Sequence, residues 1–219
     1  MFPIGDDDSA RRSFPVVTCV LIAINVAVFL LELSAGDAFI DKWAFVPARF
    51  NEGPAANAIT VLSAMFMHGG WMHLGGNMLY LWIFGDNVED RFGPVRFTIF
   101  YLLAGLAATF AQFLVNPGSP VPNVGASGAI AGVLGAYLLM FPQARVDVLL
   151  GRQVVSMPAF IVLGFWVVIQ MVSGVGSIAD TAQTEPQGGV AYMAHVGGFV
   201  AGVLLTFVMR GGPGPRTTA

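Results

Sequence analysis

The sequence predicts an all-α membrane protein, a bundle of six transmembrane helices with both termini in the cytoplasm. Three observations predict it. Charged residues make up only 11% of the chain, the apolar residues fall in long charge-free runs, and the basic residues gather on one side of the resulting topology. An average soluble domain carries about 25% charged residues. With 56% hydrophobic residues and a mean hydropathy of +0.73, this chain has too little charge to cover its apolar surface in water. Lipid serves as solvent for most of it.

Residues 13–31, 53–85, 97–144, 153–179 and 186–209 carry no charged side chain. A spanning helix needs about 20 mainly apolar residues. The run 97–144 holds two such helices, divided at Asn116-Pro117-Gly118-Ser119-Pro120. The expected spans are 14–33, 73–85, 95–115, 127–142, 153–174 and 190–209, with 58–68 also reading as helical ahead of Gly69-Gly70. The domain organisation that follows is a short cytoplasmic tail over 1–13, a membrane domain over 14–210 and a disordered cytoplasmic tail over 211–219. The stretch 34–57 reads most simply as an external loop, although Phe39, Trp43, Phe45 and Phe50 would suit the membrane interface. The Gly-, Ser- and Gln-rich stretch 174–189 reads as a flexible loop.

Six spans place both termini on one side, together with Arg11, Arg12, Arg91, Arg96, Arg145, Arg152, Arg210 and Arg216. Lys42 and Arg49 fall on the other side. Positive residues gather in the cytoplasm, so the termini belong there and the chain is expected as a multi-pass protein of the inner (plasma) membrane. The competing reading of 14–33 is a cleaved signal peptide, which would leave five spans. The lone Cys19 cannot form an internal disulfide. A net charge of −3 gives no ground for a nucleic-acid partner.

Hydrogen-bonding and ionisable side chains are costly inside a bilayer and suggest function there. Four stand out: His73, Asn77, Ser127 and His195. Counting 1.5 Å per helical residue from the cytoplasmic end places His73 about 20 Å deep, and Ser127 and His195 about 22 Å. All three lie at a similar level, somewhat below the outer surface. The fourth span is too short to reach that surface, so residues 116–126 must dip inward. Irregular backbone at that depth must be buried or line a wet cavity, and a polar cavity opening to the extracytoplasmic side follows.

A serine hydroxyl becomes a nucleophile when a base takes its proton. Ser127 lies in Gly125-Ala126-Ser127-Gly128 at the start of a helix, where unpaired N–H groups favour negative charge. That suits the oxyanion of a tetrahedral intermediate. His195 can act as general base and then as general acid. His73 and Asn77, four residues apart, share a helix face and can donate hydrogen bonds to the same oxyanion. Packing readings compete at each position, because small residues also bring membrane helices together and polar ones also bond between helices. Gly128 and Gly132 form one small-residue face, and Gly198 and Gly202 form another. Helices meeting along these faces would bring Ser127 towards His195. No Asp or Glu is expected at this depth, so a Ser–His dyad is the economical reading. A zinc site is disfavoured, because His68 and His73 are separated by four residues, with no Glu between them and Gly69-Gly70 interrupting the helix. No metal or cofactor is expected.

In the residues from His68-Gly-Gly-Trp-Met-His73-Leu-Gly-Gly-Asn77, through Gly125-Ala-Ser127-Gly128, to Ala194-His195-Val-Gly-Gly198-Phe-Val-Ala-Gly202, the sequence resembles the rhomboid family of intramembrane serine proteases, in its bacterial or archaeal type. Phe84-Gly-Asp-Asn-Val-Glu89-Asp-Arg91-Phe-Gly93 resembles the family's connection between the second and third spans. The resemblance covers about 60–210. It implies a six-helix bundle with Ser127 as nucleophile, His195 as base, and His73 and Asn77 as oxyanion donors beside the Ser127 N–H. The reaction implied is hydrolysis of a peptide bond, through an acyl-enzyme, in or near transmembrane segments of other membrane proteins. Two positions depart from patterns seen in some relatives: Ala131 stands where an aromatic residue stacks on the catalytic histidine, and Trp43 and Arg49 are separated rather than adjacent. With Ala131 there, another group orients His195 or the ring is less restrained. The main alternative is a catalytically weak or inactive relative that binds membrane proteins. A transporter is a second, although nothing charged lies below Ser127 in its span.

Overall fold

In the computed structural model, residues 2–7, 9, 11–180 and 191–209 are described, residues 174–180 by their helical backbone only. Six helices of 14 residues or more dominate: α1 (Val16–Ala35), α5 (Trp71–Phe92), α6 (Pro94–Val115), α7 (Ser127–Met140), α8 (Ala159–Asp180) and α9 (Tyr192–Met209). Among the described residues, α1, α6 and α9 are long and apolar enough to cross a membrane by length and composition. Their outward faces keep Leu30, Leu31, Val95, Leu114, Leu204 and Val208 exposed, as lipid-facing residues must be.

The central element is α7, in which every residue from Gly128 to Tyr137 is buried. It touches α5, α6, α8 and α9. Glycine makes its contact with α9 possible. A Cβ placed on Gly198 would lie 2.0 Å from the Gly128 carbonyl oxygen, and one on Gly202 would lie 2.2 Å from that of Gly132. Any side chain at either position would force the backbones apart.

Residues 34–57 are not an unstructured external loop. They fold into three short helices, α2 (Asp37–Trp43), α3 (Pro47–Glu52) and α4 (Pro54–Ser63), followed by a 3-10 turn over Ala64–Phe66. Pro47 and Pro54 occupy first-turn positions, where a missing N–H costs nothing. Arg49 fastens the segment by donating to the carbonyls of Asp41 and Ala44. Phe45, fully buried, stacks edge-on with Phe113 of α6, and Phe50 does the same. Two of the four aromatic side chains that would suit an interface, Phe45 and Phe50, thus form a small core against α6, while Phe39 and Trp43 pack on each other.

The chain is also not purely α-helical. β1 (Phe2–Asp6), β2 (Arg145–Leu150) and β3 (Gln153–Pro158) form an antiparallel sheet in the order β1-β2-β3. Residues 153–158, expected at the start of the fifth span, are therefore a strand, and that helix begins at Ala159. The reason is local: Val146, Asp147, Val148 and Leu149 on one side and Val154, Val155 and Ser156 on the other pair around a two-residue turn at Gly151-Arg152. Gly151 has φ +60°, a backbone that favours glycine and fits a hairpin turn of this length. Val154 and Val155 are β-branched and favour the strand, although the run they begin carries no charge.

α5 likewise runs past the expected end of the second span at Gly85, and it buries Asp86, Asn87 and Glu89. Each is satisfied. Asp86 pairs with Arg11 at 2.5 Å, and Asn87 Nδ2 donates to Asp6 at 2.9 Å. Glu89 caps α1, accepting from the N–H of Val17 and from the N–H and hydroxyl of Thr18 at 2.7–2.9 Å. A carboxylate at a helix N-terminus meets the orphan donors there. Residues 174–180, expected in the flexible loop, instead continue α8, whereas residues 181–189 of that loop, residue 190 of the expected sixth span, Arg210 and the tail 211–219 lie outside the described residues.

Candidate active site

Ser127 is the first residue of α7, preceded by Ala126 as its cap. The first hydrogen bond of the helix runs from Ile130 N–H to Ala126 O, at 3.0 Å. The N–H groups of Ser127, Gly128 and Ala129 therefore have no acceptor inside the helix, and the positive end of its dipole surrounds the Ser127 hydroxyl. Gly125 shapes the approach. Its φ is +135°, and a Cβ there would lie 2.9 Å from both Cε1 and Nε2 of His73. Only glycine meets both conditions.

The segment entering α7 is held from outside the bundle's core. Asn123 N–H donates to Phe45 O at 2.7 Å, Ala48 N–H to Ser119 O at 2.9 Å, and Gly125 N–H to Ala64 O at 2.9 Å. The folded 37–66 region thus sets where Ser127 begins its helix. A cavity with about 40 Å³ open to water lies beside it, bordered by Met65, Thr109, Gln112, Val124, Ser127 and Ala194 among others. That is room for a water molecule or two.

His195, in the first turn of α9, places Nε2 2.8 Å from Ser127 Oγ. It is buried, with 9% of its surface exposed. The close glycine contacts of α7 and α9, Gly128 with Gly198 and Gly132 with Gly202, begin directly after Ser127 and fix the distance between the two helices. The other ring nitrogen, Nδ1, lies 2.6 Å from Gln170 Oε1 on α8. The Trp166 ring, one turn earlier on α8, lies 5.9 Å from the imidazole at 35°, and Tyr192 meets it edge-on at 6.4 Å. These three residues surround the ring where Ala131 offers no aromatic face. Sequence reasoning missed all three. Gln170 carried a usable signal, since an amide within a charge-free helical run is as costly in lipid as the histidines that were noticed.

His73 lies on the opposite flank of Ser127. Its Nδ1 accepts the N–H of Gly69 at 3.3 Å, which leaves the proton on Nε2, the edge turned towards Gly125 and Ser127. Asn77, buried one turn along α5, donates one amide hydrogen to the His73 carbonyl at 3.0 Å and keeps a second. His68 packs edge-on against His73 at 5.2 Å, and its backbone N–H donates to the Glu32 carboxylate. Glu32 is a buried acid near the end of α1, whereas no Asp or Glu is expected at the level of the site. It bonds the backbone of His68 and is not joined to the Ser127–His195 pair. No group of three or more potential metal ligands occurs among the described residues.

A helical membrane protein with a serine hydrogen-bonded to a histidine at the N-terminus of its central helix is the class that fold and site define. Residues 55–212 match the family model of the Rhomboid domain. The chain is 32% identical to the rhomboid protease GluP of Bacillus subtilis over 206 residues, 92% of this chain and 37% of that protein. It is 31% identical to the mitochondrial rhomboid protein 1 of Saccharomyces cerevisiae over 189 residues, 84% of this chain and 50% of that protein. It is 26% identical to the putative rhomboid protease YdcA of B. subtilis over 200 residues, 90% and 89% of the two chains. The chain belongs to the rhomboid family, and it spans about half the length, or less, of the first two of these relatives.

Proposed function

We propose that the protein is an intramembrane serine endopeptidase that cleaves transmembrane segments of other membrane proteins through a Ser127–His195 dyad. The observation that carries this reading is the 2.8 Å contact between Ser127 Oγ and His195 Nε2 at the N-terminus of α7. The protease names of the relatives GluP and YdcA support it.

The chemistry follows from the geometry. Ser127 Oγ attacks the carbonyl carbon of the scissile bond, and its proton passes to His195 Nε2. The carbonyl oxygen becomes an oxyanion, stabilised by the Ser127 N–H, His73 Nε2–H and the second amide hydrogen of Asn77. His195 then gives its proton to the leaving nitrogen as the peptide bond breaks, and an acyl-enzyme remains. A water molecule from the adjoining cavity attacks the ester and passes its proton to His195. The tetrahedral intermediate collapses, the carboxylic product leaves, and the proton returns to Ser127 Oγ. No metal or cofactor takes part in this scheme.

In this reading α1, α5, α6, α7, α8 and α9 are six membrane spans with both termini cytoplasmic. The side carrying Ser127 opens to the extracytoplasmic face of the plasma membrane. The arginine distribution supports that orientation. The test of the dyad is cleavage of a transmembrane substrate by Ser127→Ala, His195→Ala and the double variant. Each should abolish cleavage with the fold intact, and the double variant should be no worse than either single one. Near-normal cleavage by folded Ser127→Ala would refute the reading.

A further inference from the structure

His195 is gripped by α8 as well as by Ser127. Gln170 and Trp166 are four residues apart on α8 and share one helix face. Gln170 holds Nδ1 at 2.6 Å, and Trp166 lies against the ring. Both Gln170 and His195 are buried, with 9% of their surface exposed, so water does not compete freely for this bond.

We infer that Gln170 is a positioning residue of the dyad, an uncharged third member that holds His195 in the tautomer protonated on Nδ1. The inference rests on the protease reading above for its catalytic meaning and on the geometry alone for the tautomer. A neutral imidazole carries one N–H and one lone pair. The amide oxygen of Gln170 can only accept, so the proton facing it is on Nδ1. The lone pair is then on Nε2, facing the Ser127 hydroxyl, as a general base requires. With the amide reversed, Nδ1 would accept and Nε2–H would point at Ser127 Oγ, which could not then lose its proton to it. A histidine held in the wrong tautomer loses up to about 10⁴-fold in turnover in a serine protease. The amide also stays hydrogen-bonded when His195 becomes an imidazolium, because both ring nitrogens then donate. It does so without placing a carboxylate in the membrane, where ionised groups are expensive.

The experiment uses the full chain in detergent, labelled with 15N-histidine and held in alkaline buffer so that the histidines are neutral. Two-bond proton–nitrogen correlations separate protonated from unprotonated ring nitrogens, and His195→Ala identifies the His195 signals among the three histidines of the chain. The expected wild-type spectrum shows His195 protonated on Nδ1 and bare on Nε2. Gln170→Leu, or Gln170→Met should the first not fold, is expected to shift the population towards Nε2–H. It should also lower kcat by about 10-fold or more while KM changes little. Gln170→Glu keeps an acceptor at the same place and should keep the Nδ1 proton. A wild-type His195 protonated on Nε2, or a folded Gln170→Leu with unchanged tautomer and kcat, would overturn the inference. An Nδ1–H tautomer that depends on Gln170 in a protein with no hydrolytic activity would leave the inference standing and sink the protease reading instead.

Discussion

The hydroxyl of Tyr137, near the end of α7, donates a 2.5 Å hydrogen bond to the carboxylate of Asp6, the last residue of strand β1. The same carboxylate oxygen accepts Asn87 Nδ2 of α5 at 2.9 Å. The N-terminal strand is thus stitched to the helix that begins with Ser127, ten residues further up. β1 also pairs with β2, the strand that follows α7 in the chain. The base of the central helix is therefore fixed from two sides by parts of the chain that sequence analysis treated as a tail and a connecting loop.

Tyr137 is almost fully buried, so Tyr137→Phe removes a hydrogen bond to a charged group without opening a cavity. Bonds of that kind contribute about 1.5–3 kcal/mol. The variant should unfold at lower temperature in detergent by an amount corresponding to that loss, while turnover per folded molecule stays close to wild type. An unchanged unfolding curve would mean that Asp6 does not anchor α7.

Asn77→Ala should act on the chemical step. The amide hydrogen that Asn77 does not spend on His73 O is assigned to charge that develops in the transition state, so its loss lowers kcat more than it alters KM. Removal of one such donor costs on the order of 10²–10³ in rate. His73 and the Ser127 N–H share the task, which sets the lower end of that range as the expectation. A variant with raised KM and undiminished kcat would assign Asn77 to substrate binding instead.

Access to the site is tested by cysteine labelling in a background lacking Cys19. Val124 borders the cavity at Ser127, whereas Leu134 is fully buried lower in α7. Val124→Cys should react with a membrane-impermeant thiol reagent added from outside the cell, and Leu134→Cys should resist it from either face. Labelling at position 124 only from the cytoplasm would reverse the orientation deduced from the arginines. Labelling at position 134 would describe a through-pore and favour a transporter.

The parts legible in the sequence are those written in hydropathy and in glycine. Helix ends fall at Gly36 and Asn116, close to where the expected first and third spans end. Ser127 and His195, separated by 68 residues in the chain, lie in hydrogen-bond contact where two small-residue faces meet. What the sequence did not disclose depends on partners distant in the chain. Asp86 and Glu89 marked the end of a span when read alone, yet they are buried because Arg11 and the N-terminus of α1 satisfy them. The pairing of β1 with β2 joins residues at least 140 positions apart, and no local periodicity announces it. Gln170 is an amide in a charge-free run, and nothing local shows that it meets the imidazole on the side away from Ser127.

The central claim is that Ser127 is a nucleophile made reactive by His195. Reaction with a fluorophosphonate probe, followed by mass spectrometry of the modified peptide, tests it most directly. Attack by Ser127 Oγ on phosphorus displaces fluoride and leaves a stable covalent adduct, with the hydroxyl proton taken up by His195. The account predicts one adduct, on Ser127, absent from Ser127→Ala and strongly reduced in His195→Ala. A folded wild-type protein that gains no adduct, or gains it at a residue other than Ser127, would contradict it.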